Sequence, residues 1–146
     1  MHTMILMAKM SGRPEWLSFL AKVLQWPAGP GVTFWGHAAD GVLVGVMGIQ
    51  SARDLDLIRH AYVLPSSQRH GIGGALLRRL RTLSTRPKLV GTWAAAEWAI
   101  RFYERHGFEL VSPARKSVLL KTYWNVPDGQ IETSVVLANP PRGKAN

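Results

Sequence analysis

The 146-residue chain contains no cysteine, so it has no disulfide framework and no thiol chemistry of its own. A reducing, cytoplasmic setting is the simpler expectation. Acidic residues are scarce, nine against eighteen Lys and Arg, which gives a net charge of +9. Long apolar runs are also missing. The longest, residues 42–49, is far too short to span a bilayer and is broken by Gly45 and Gly48, so no membrane association is expected. Residues 1–10 hold a short apolar patch without a small-residue cleavage pattern, which argues against a secretory signal. No run of five or more basic residues occurs, nor any interleaving of basic and aromatic residues as on an RNA-binding sheet. The excess charge therefore reads as a solvated basic surface, with attraction of a polyanionic ligand as its functional counterpart and nucleic acid as the weaker alternative.

The composition that remains, 47% hydrophobic and 18% charged, is that of a folded domain. Its length suits one domain over residues 1–138, followed by a prolyl, polar and disordered tail over 139–146. Trp16, Leu17, Leu20, Val23 and Leu24 recur at helical spacing within 14–25. Strands are expected at 32–38, 42–50 and 55–64, with turns at 39–41 and 51–54. A helix follows that buries Ile72, Leu76, Leu77, Leu80 and Leu83 and turns Arg78, Arg79 and Arg81 outward, ended by Pro87. Beyond it come a strand at 89–93, a helix at 95–106 capped by Gly107 with Phe108 folding back, a strand at 108–111, a helix at 113–124 and a last strand at 131–137. The order predicts a mixed α/β sheet.

The most informative segment is the start of the central helix, where Gly71, Gly73 and Gly74 stand together. Each glycine within a helix costs about 1 kcal/mol relative to alanine. A tight turn explains one of them and not three. Glycines at a helix N-terminus leave a row of N–H groups uncovered, and the helix end adds partial positive charge, a combination suited to phosphate. A dinucleotide-binding loop would want glycine where Leu76 stands, and a P-loop would want Gly-Lys-Ser or Gly-Lys-Thr at the helix start.

Two segments together resemble the GNAT superfamily of N-acetyltransferases. The first is Tyr62-Val63-Leu64-Pro65-Ser66-Ser67-Gln68-Arg69-His70-Gly71-Ile72-Gly73-Gly74, with Gln68, Gly71 and Gly73 at the defining positions of the family's acetyl-CoA motif. The second is Ala99-Ile100-Arg101-Phe102-Tyr103-Glu104-Arg105-His106-Gly107-Phe108, similar to the family's Ala-x-x-Phe-Tyr-Glu-x-x-Gly-Phe helix end. The resemblance spans residues 32–138. It implies a mostly antiparallel sheet with a V-shaped split between the strands at 55–64 and 89–93 and helices on both faces. It also implies acetyl-CoA as acyl donor, without a metal, and a small-molecule or peptide amine as acceptor; a homodimer stays open.

On this resemblance the N–H groups from Arg69 to Gly74, Ile72 included, hold the CoA diphosphate, with Arg69 and His70 adding charge. The strand end through Tyr62, Val63 and Leu64 pairs with the pantetheine amides, and the Val63 N–H faces the thioester oxygen. Tyr103 is the candidate general acid for the CoA thiolate, since an ordinary phenol pKa of about 10 lies near a thiol's 8.5. Phe102 follows the apolar spacing Ala95, Ala99, Phe102 and is expected in the core, leaving Tyr103 on a neighbouring face. For deprotonating the amine, His60, Asp56 and Glu132 are candidates, His60 being nearest the expected reaction centre. His2, His37, His60, His70 and His106 show no metal-ligand spacing.

The match departs from the family at two places. Ala96 stands where members usually carry an asparagine directed at the cofactor. Only some thirty residues precede Val32, so the N-terminal wall of the acceptor site is expected to be short. Trp35, Trp93, Trp98 and Trp124 are expected to fill the core or line an acceptor pocket. A non-catalytic acyl-CoA-binding domain and a basic nucleic-acid-binding protein are the rival readings.

Overall fold

The computed structural model describes residues 5–9, 31–39, 42–63, 68, 70–124 and 126–140, with the backbone alone at 5–9, 39, 42 and 60. The described strands are β1 (Ile5–Lys9), β2 (Val32–Ala39), β3 (Val42–Ala52), β4 (Leu55–Val63), β5 (Lys88–Trp93), β6 (Glu109–Leu110) and β7 (Ser134–Asn139). The described helices are α1 (Ile72–Arg81), α2 (Glu97–Arg105), α3 (Pro113–Leu119), which runs on into a π-helical turn (Leu120–Trp124), and α4 (Asp128–Thr133). The strands form one sheet in the order β1-β2-β3-β4-β5-β7-β6. This is the mixed, mostly antiparallel arrangement that the sequence predicts. The expected helix at 14–25 lies outside the described residues. By its internal contacts the chain divides into two compact units, residues 1–51 with 58–85, and 52–57 with 86–146.

In the first unit β2 and β3 form an antiparallel hairpin that pairs Trp35 with Met47 and His37 with Gly45, with a bulge between His37 and Ala38. Glycines in β3 let neighbouring elements approach. A Cβ at Gly45 would meet the Ile72 Cγ2 of α1 at 2.9 Å. At Gly48 it would meet Val32 Cγ1 at 2.9 Å and the Arg59 carbonyl oxygen at 3.0 Å. The carbonyl is backbone and cannot swing aside, so Gly48→Ala is expected to cost about 1–3 kcal/mol, read as a lower urea midpoint.

Helix α1 buries Ile72, Leu76, Leu77 and Leu80 as the spacing predicts, but not Leu83, which is 42% exposed. The helix ends at Arg81, where Thr82 turns its hydroxyl back to donate to the Arg79 carbonyl at 2.7 Å. The apolar stripe therefore stops one turn early and well short of Pro87. Arg78, Arg79 and Arg81 occupy the last turn, where positive charge suits the helix dipole, and the Arg79 guanidinium lies 5.1 Å from the centre of the Trp35 ring.

His37 is 2% exposed, and among the described residues neither of its ring nitrogens has a hydrogen-bond partner. Burial lowers its pKa below the ordinary 6.5. The unfolded chain therefore takes up a proton near that value which the folded chain refuses until the pH is lower. Stability is complete above the unfolded pKa and is lost as pH falls through it toward the folded one. The melting temperature is expected to drop between about pH 7 and pH 5. His37→Leu should flatten that drop, because the leucine has no proton to bind; an unchanged pH slope would assign it to other groups.

In the second unit β7 pairs with both β5 and β6, placing Gly91 opposite Val136 and Trp93 opposite Ser134. A core of Leu55, Leu57, Leu89, Val111, Leu119, Leu120, Ile131, Val136 and Ala138 fills one side, with Tyr123 and Trp124 packed against it. Gly107 closes α2 in the left-handed conformation at φ +88°, and the Phe108 N–H donates to the Tyr103 carbonyl at 3.1 Å, as the sequence predicts. Ser112 caps α3 by accepting from the Arg115 N–H at 3.3 Å. The expected strand at 131–137 is corrected at its start. Pro127 stands in extended conformation at the head of α4, and residues 131–133 belong to that helix, so the strand begins at Ser134. Asn139, expected in the tail, ends β7 and donates its side-chain amide to the Gly107 carbonyl at 2.6 Å.

Candidate active site

Gly71 stands at the head of α1 with φ +76° and ψ 10°, and no side chain caps the helix. A Cβ there would meet nothing within 4 Å, so the left-handed backbone, not crowding, is what calls for glycine. The first bond of the helix runs from the Ala75 N–H to the Gly71 carbonyl at 3.0 Å. That leaves the N–H groups of Ile72, Gly73 and Gly74 without an acceptor inside the helix, and the first turn holds no acidic residue. Gly73 and Gly74 are helical, so the three glycines divide the work: one makes the turn and two keep the helix start bare. Ile72 anchors that start by burying its side chain against Gly45.

Tyr62 and Val63 are half-buried at the end of β4. The Gln68 side-chain amide donates to the Val63 carbonyl at 3.1 Å and ties the connection back to the strand. His70 is exposed beside Gly71. Leu64 and Arg69 lie outside the described residues, as does the side chain of His60, whose backbone is part of β4.

In the second unit, Tyr103 and Phe102 exchange the places expected from the sequence. Tyr103 is 6% exposed, packed edge-on against Phe102 at 5.0 Å and Phe108 at 5.7 Å between ring centres, while Phe102 is half-buried. The reason is where the helix begins. It starts at Glu97, so Ala95 precedes it and the buried face runs through Ala99 and Tyr103, four residues apart. Burial pushes the Tyr103 phenol up to about 12, and no described residue hydrogen-bonds its hydroxyl.

Asp56 is buried and holds two cations, Arg86 Nε at 3.1 Å and Lys88 Nζ at 3.2 Å. Arg86 also donates to the Arg53 and Leu55 carbonyls at 2.6 and 2.7 Å, and Lys88 Nζ to the Arg86 carbonyl at 2.6 Å. A carboxylate fixed this way ties β4 to the start of β5 and is not a free proton acceptor. Glu132 is exposed on α4 rather than on a strand. Of the tryptophans, Trp35 and Trp124 are half-buried, while Trp93 and Trp98 stand open to solvent. Among the described residues no helix is long and apolar enough to cross a membrane.

Residues 30–110 match the family model of the acetyltransferase (GNAT) domain. Comparison with curated proteins gives no match. Among solved structures the chain is similar to the ribosomal-protein-S18-alanine N-acetyltransferase of Escherichia coli, at 17% identity over 98% of this chain and 97% of that one, with a TM-score of 0.66. It is similar to a GNAT family acetyltransferase of Elizabethkingia anophelis with acetyl-CoA bound, at 16% identity over 92% and 96%, TM-score 0.62. It is also similar to Arabidopsis thaliana Naa50 in complex with the bisubstrate analogue CoA-Ac-MVNAL, at 16% identity over 92% and 97%, TM-score 0.65. At these identities the structures speak for the fold, and the family model, which covers more than half of the 146 residues, speaks for the family. Bare helix start, buried tyrosine and matched domain converge: this chain belongs to the GNAT family of N-acetyltransferases.

Proposed function

We propose that the protein transfers the acetyl group of acetyl-CoA to a primary amine, by direct attack while both substrates are bound. The observation that carries this reading is the uncapped start of α1: three N–H groups without intrahelical acceptors, behind a left-handed Gly71 with open space beside it and no acid in the first turn. Those groups fit the diphosphate of CoA, which fixed dipoles of this kind bind without reorganisation. Structures similar in fold were solved with acetyl-CoA and with a CoA-peptide bisubstrate analogue, which adds support.

Acetyl-CoA supplies the activated acyl group. The end of β4 through Tyr62 and Val63 presents backbone to the pantetheine arm, and the Val63 N–H faces the oxygen on which charge develops, a contribution of roughly 3 kcal/mol. Tyr103 donates its phenolic hydrogen to the departing sulfur. Its pKa of about 12 refines the role that the sequence suggested. That lies well above a thiol's 8.5, so the phenol favours donating a hydrogen bond over giving up its proton. Tyr103 therefore stabilises the thiolate as a hydrogen-bond donor and keeps its own proton. A deprotonated amine is the nucleophile, and His60 on β4 is the proposed acceptor of the ammonium proton.

A thiol-release assay across polyamines, aminoglycosides, amino acids and peptide N-termini tests this reading. The expected result is acetyl-CoA-dependent release with at least one primary amine and none with its tertiary counterpart. Silence across the panel, with acetyl-CoA still bound, would mark a sensing domain instead.

A further inference from the structure

Alternate residues of a strand share a face, and on β2 Trp35 and His37 do so, opposite Met47 and Gly45 of β3. The bulge in β2 comes only after His37, so it does not separate the two. Their face lies under α1. The Arg79 guanidinium stands over the Trp35 ring, and a Cβ at Gly45 would meet Ile72 at 2.9 Å and Leu76 at 3.4 Å. All of these residues belong to the first compact unit. Met47, Ile72 and Leu76 are buried and make the layer between β2, β3 and α1 largely apolar.

Into this layer the chain places three polar atoms that the layer does not satisfy. The Trp35 Nε1 and both ring nitrogens of His37 are closed to solvent, and no described residue hydrogen-bonds any of them. Among the described residues the other buried side-chain atom in this condition is Arg115 Nε, in the second unit. Buried polar groups in folded proteins are nearly always paired, so two such side chains side by side on one strand call for a shared partner.

The chemistry of the two rings defines that partner. An indole N–H only donates, while a neutral imidazole donates from one nitrogen and accepts at the other. Burial lowers the pKa of His37 and so favours its neutral form at neutral pH. A carboxylate, which only accepts, would leave the accepting nitrogen bare, and an ammonium, which only donates, could not serve the indole. Water does both. Alternate residues lie about 7 Å apart along a strand, and two hydrogen bonds through one oxygen cover roughly 5.5 Å, so one water between the rings reaches each.

We propose that Trp35 and His37 hold an internal water between β2 and α1, which accepts the indole hydrogen and hydrogen-bonds a ring nitrogen of His37. The water is then a fixed part of the layer on which α1 rests, and the site stands whether or not acetyl-CoA is the cofactor.

The test is NMR of the 15N-labelled 146-residue chain at neutral pH, with the Trp35 indole N–H identified by its loss in Trp35→Phe. In the wild type a cross-peak is expected between that hydrogen and water, with NOE and ROE of opposite sign, which marks a held water and not hydrogen exchange. His37→Leu is expected to erase the cross-peak while the indole resonance remains, because the water has lost one of its two partners. His37→Gln still donates and accepts, and is expected to keep it. No such cross-peak in the wild type, one that survives His37→Leu, or one that His37→Gln also loses overturns the proposal. The first of these outcomes needs only the wild-type protein, so a variant that fails to fold does not shield the proposal.

Discussion

Gly73→Glu is expected to abolish the stabilisation that acetyl-CoA gives, while leaving the free protein at least as stable as the wild type. The two halves of this outcome have separate causes. Gly73 is helical and half-buried in the first turn of α1, so the variant meets no backbone strain. Replacing a helical glycine gains up to about 1 kcal/mol, and an acid in the first turn suits the helix dipole. The same carboxylate stands where the diphosphate should sit and takes over N–H groups that the diphosphate needs. Losing two charge-assisted hydrogen bonds, at about 1.5–3 kcal/mol each, weakens cofactor binding by at least roughly a hundredfold. Gly71→Ala is the informative contrast. Its Cβ would meet nothing within 4 Å, so it tests only the left-handed φ of +76° and should lower stability by about 1–2 kcal/mol. A Gly73→Glu protein that still binds acetyl-CoA tightly would move the anion site away from α1.

Tyr103→Phe is expected to lower turnover by roughly a hundredfold, with the acetyl-CoA-induced rise in melting temperature unchanged. Phenylalanine keeps the edge-on contacts with Phe102 and Phe108, and the lost hydroxyl has no hydrogen-bond partner among the described residues, so the fold should not suffer. Tyr103→Ala is the wrong variant, because an emptied aromatic site costs about 3–5 kcal/mol and confuses activity with folding. With its phenol pushed up to about 12, Tyr103 stays protonated across the working range, so the wild-type rate should show no alkaline loss from this residue until near that value. Equal turnover in Tyr103→Phe would remove the proposed donor role.

The order of elements was legible because hydrophobic spacing and turn residues agree locally. Gly107 and Phe108 could be read as a helix end from two letters, and the capping bonds follow that reading. Leu83 misled because the stripe is periodic in sequence, while the helix stops where Thr82 satisfies the last carbonyls. Residues 131–133 look like the start of a β-branched strand, yet Ile131 buries itself as part of a helix headed by Pro127. Phe102 was paired with Ala95, which lies before the helix; from Ala99 the buried face runs on to Tyr103, four residues later, and leaves Phe102 at its side. Asp56 was legible as an acid near the site and illegible as an ion-pair centre, because Arg86 lies thirty residues away in sequence. The left-handed Gly71 and the uncapped start of α1 thus follow from a local motif. The exposure of Trp93 depends on where α4 ends against β5, which no local pattern encodes.

The central claim is that the bare start of α1 receives acetyl-CoA, and it is tested most directly by the melting temperature of the wild-type protein against acetyl-CoA concentration. A saturable rise is predicted, equivalent to about 2.7 kcal/mol at a hundredfold excess over Kd. A melting temperature that stays flat into the millimolar range would contradict it.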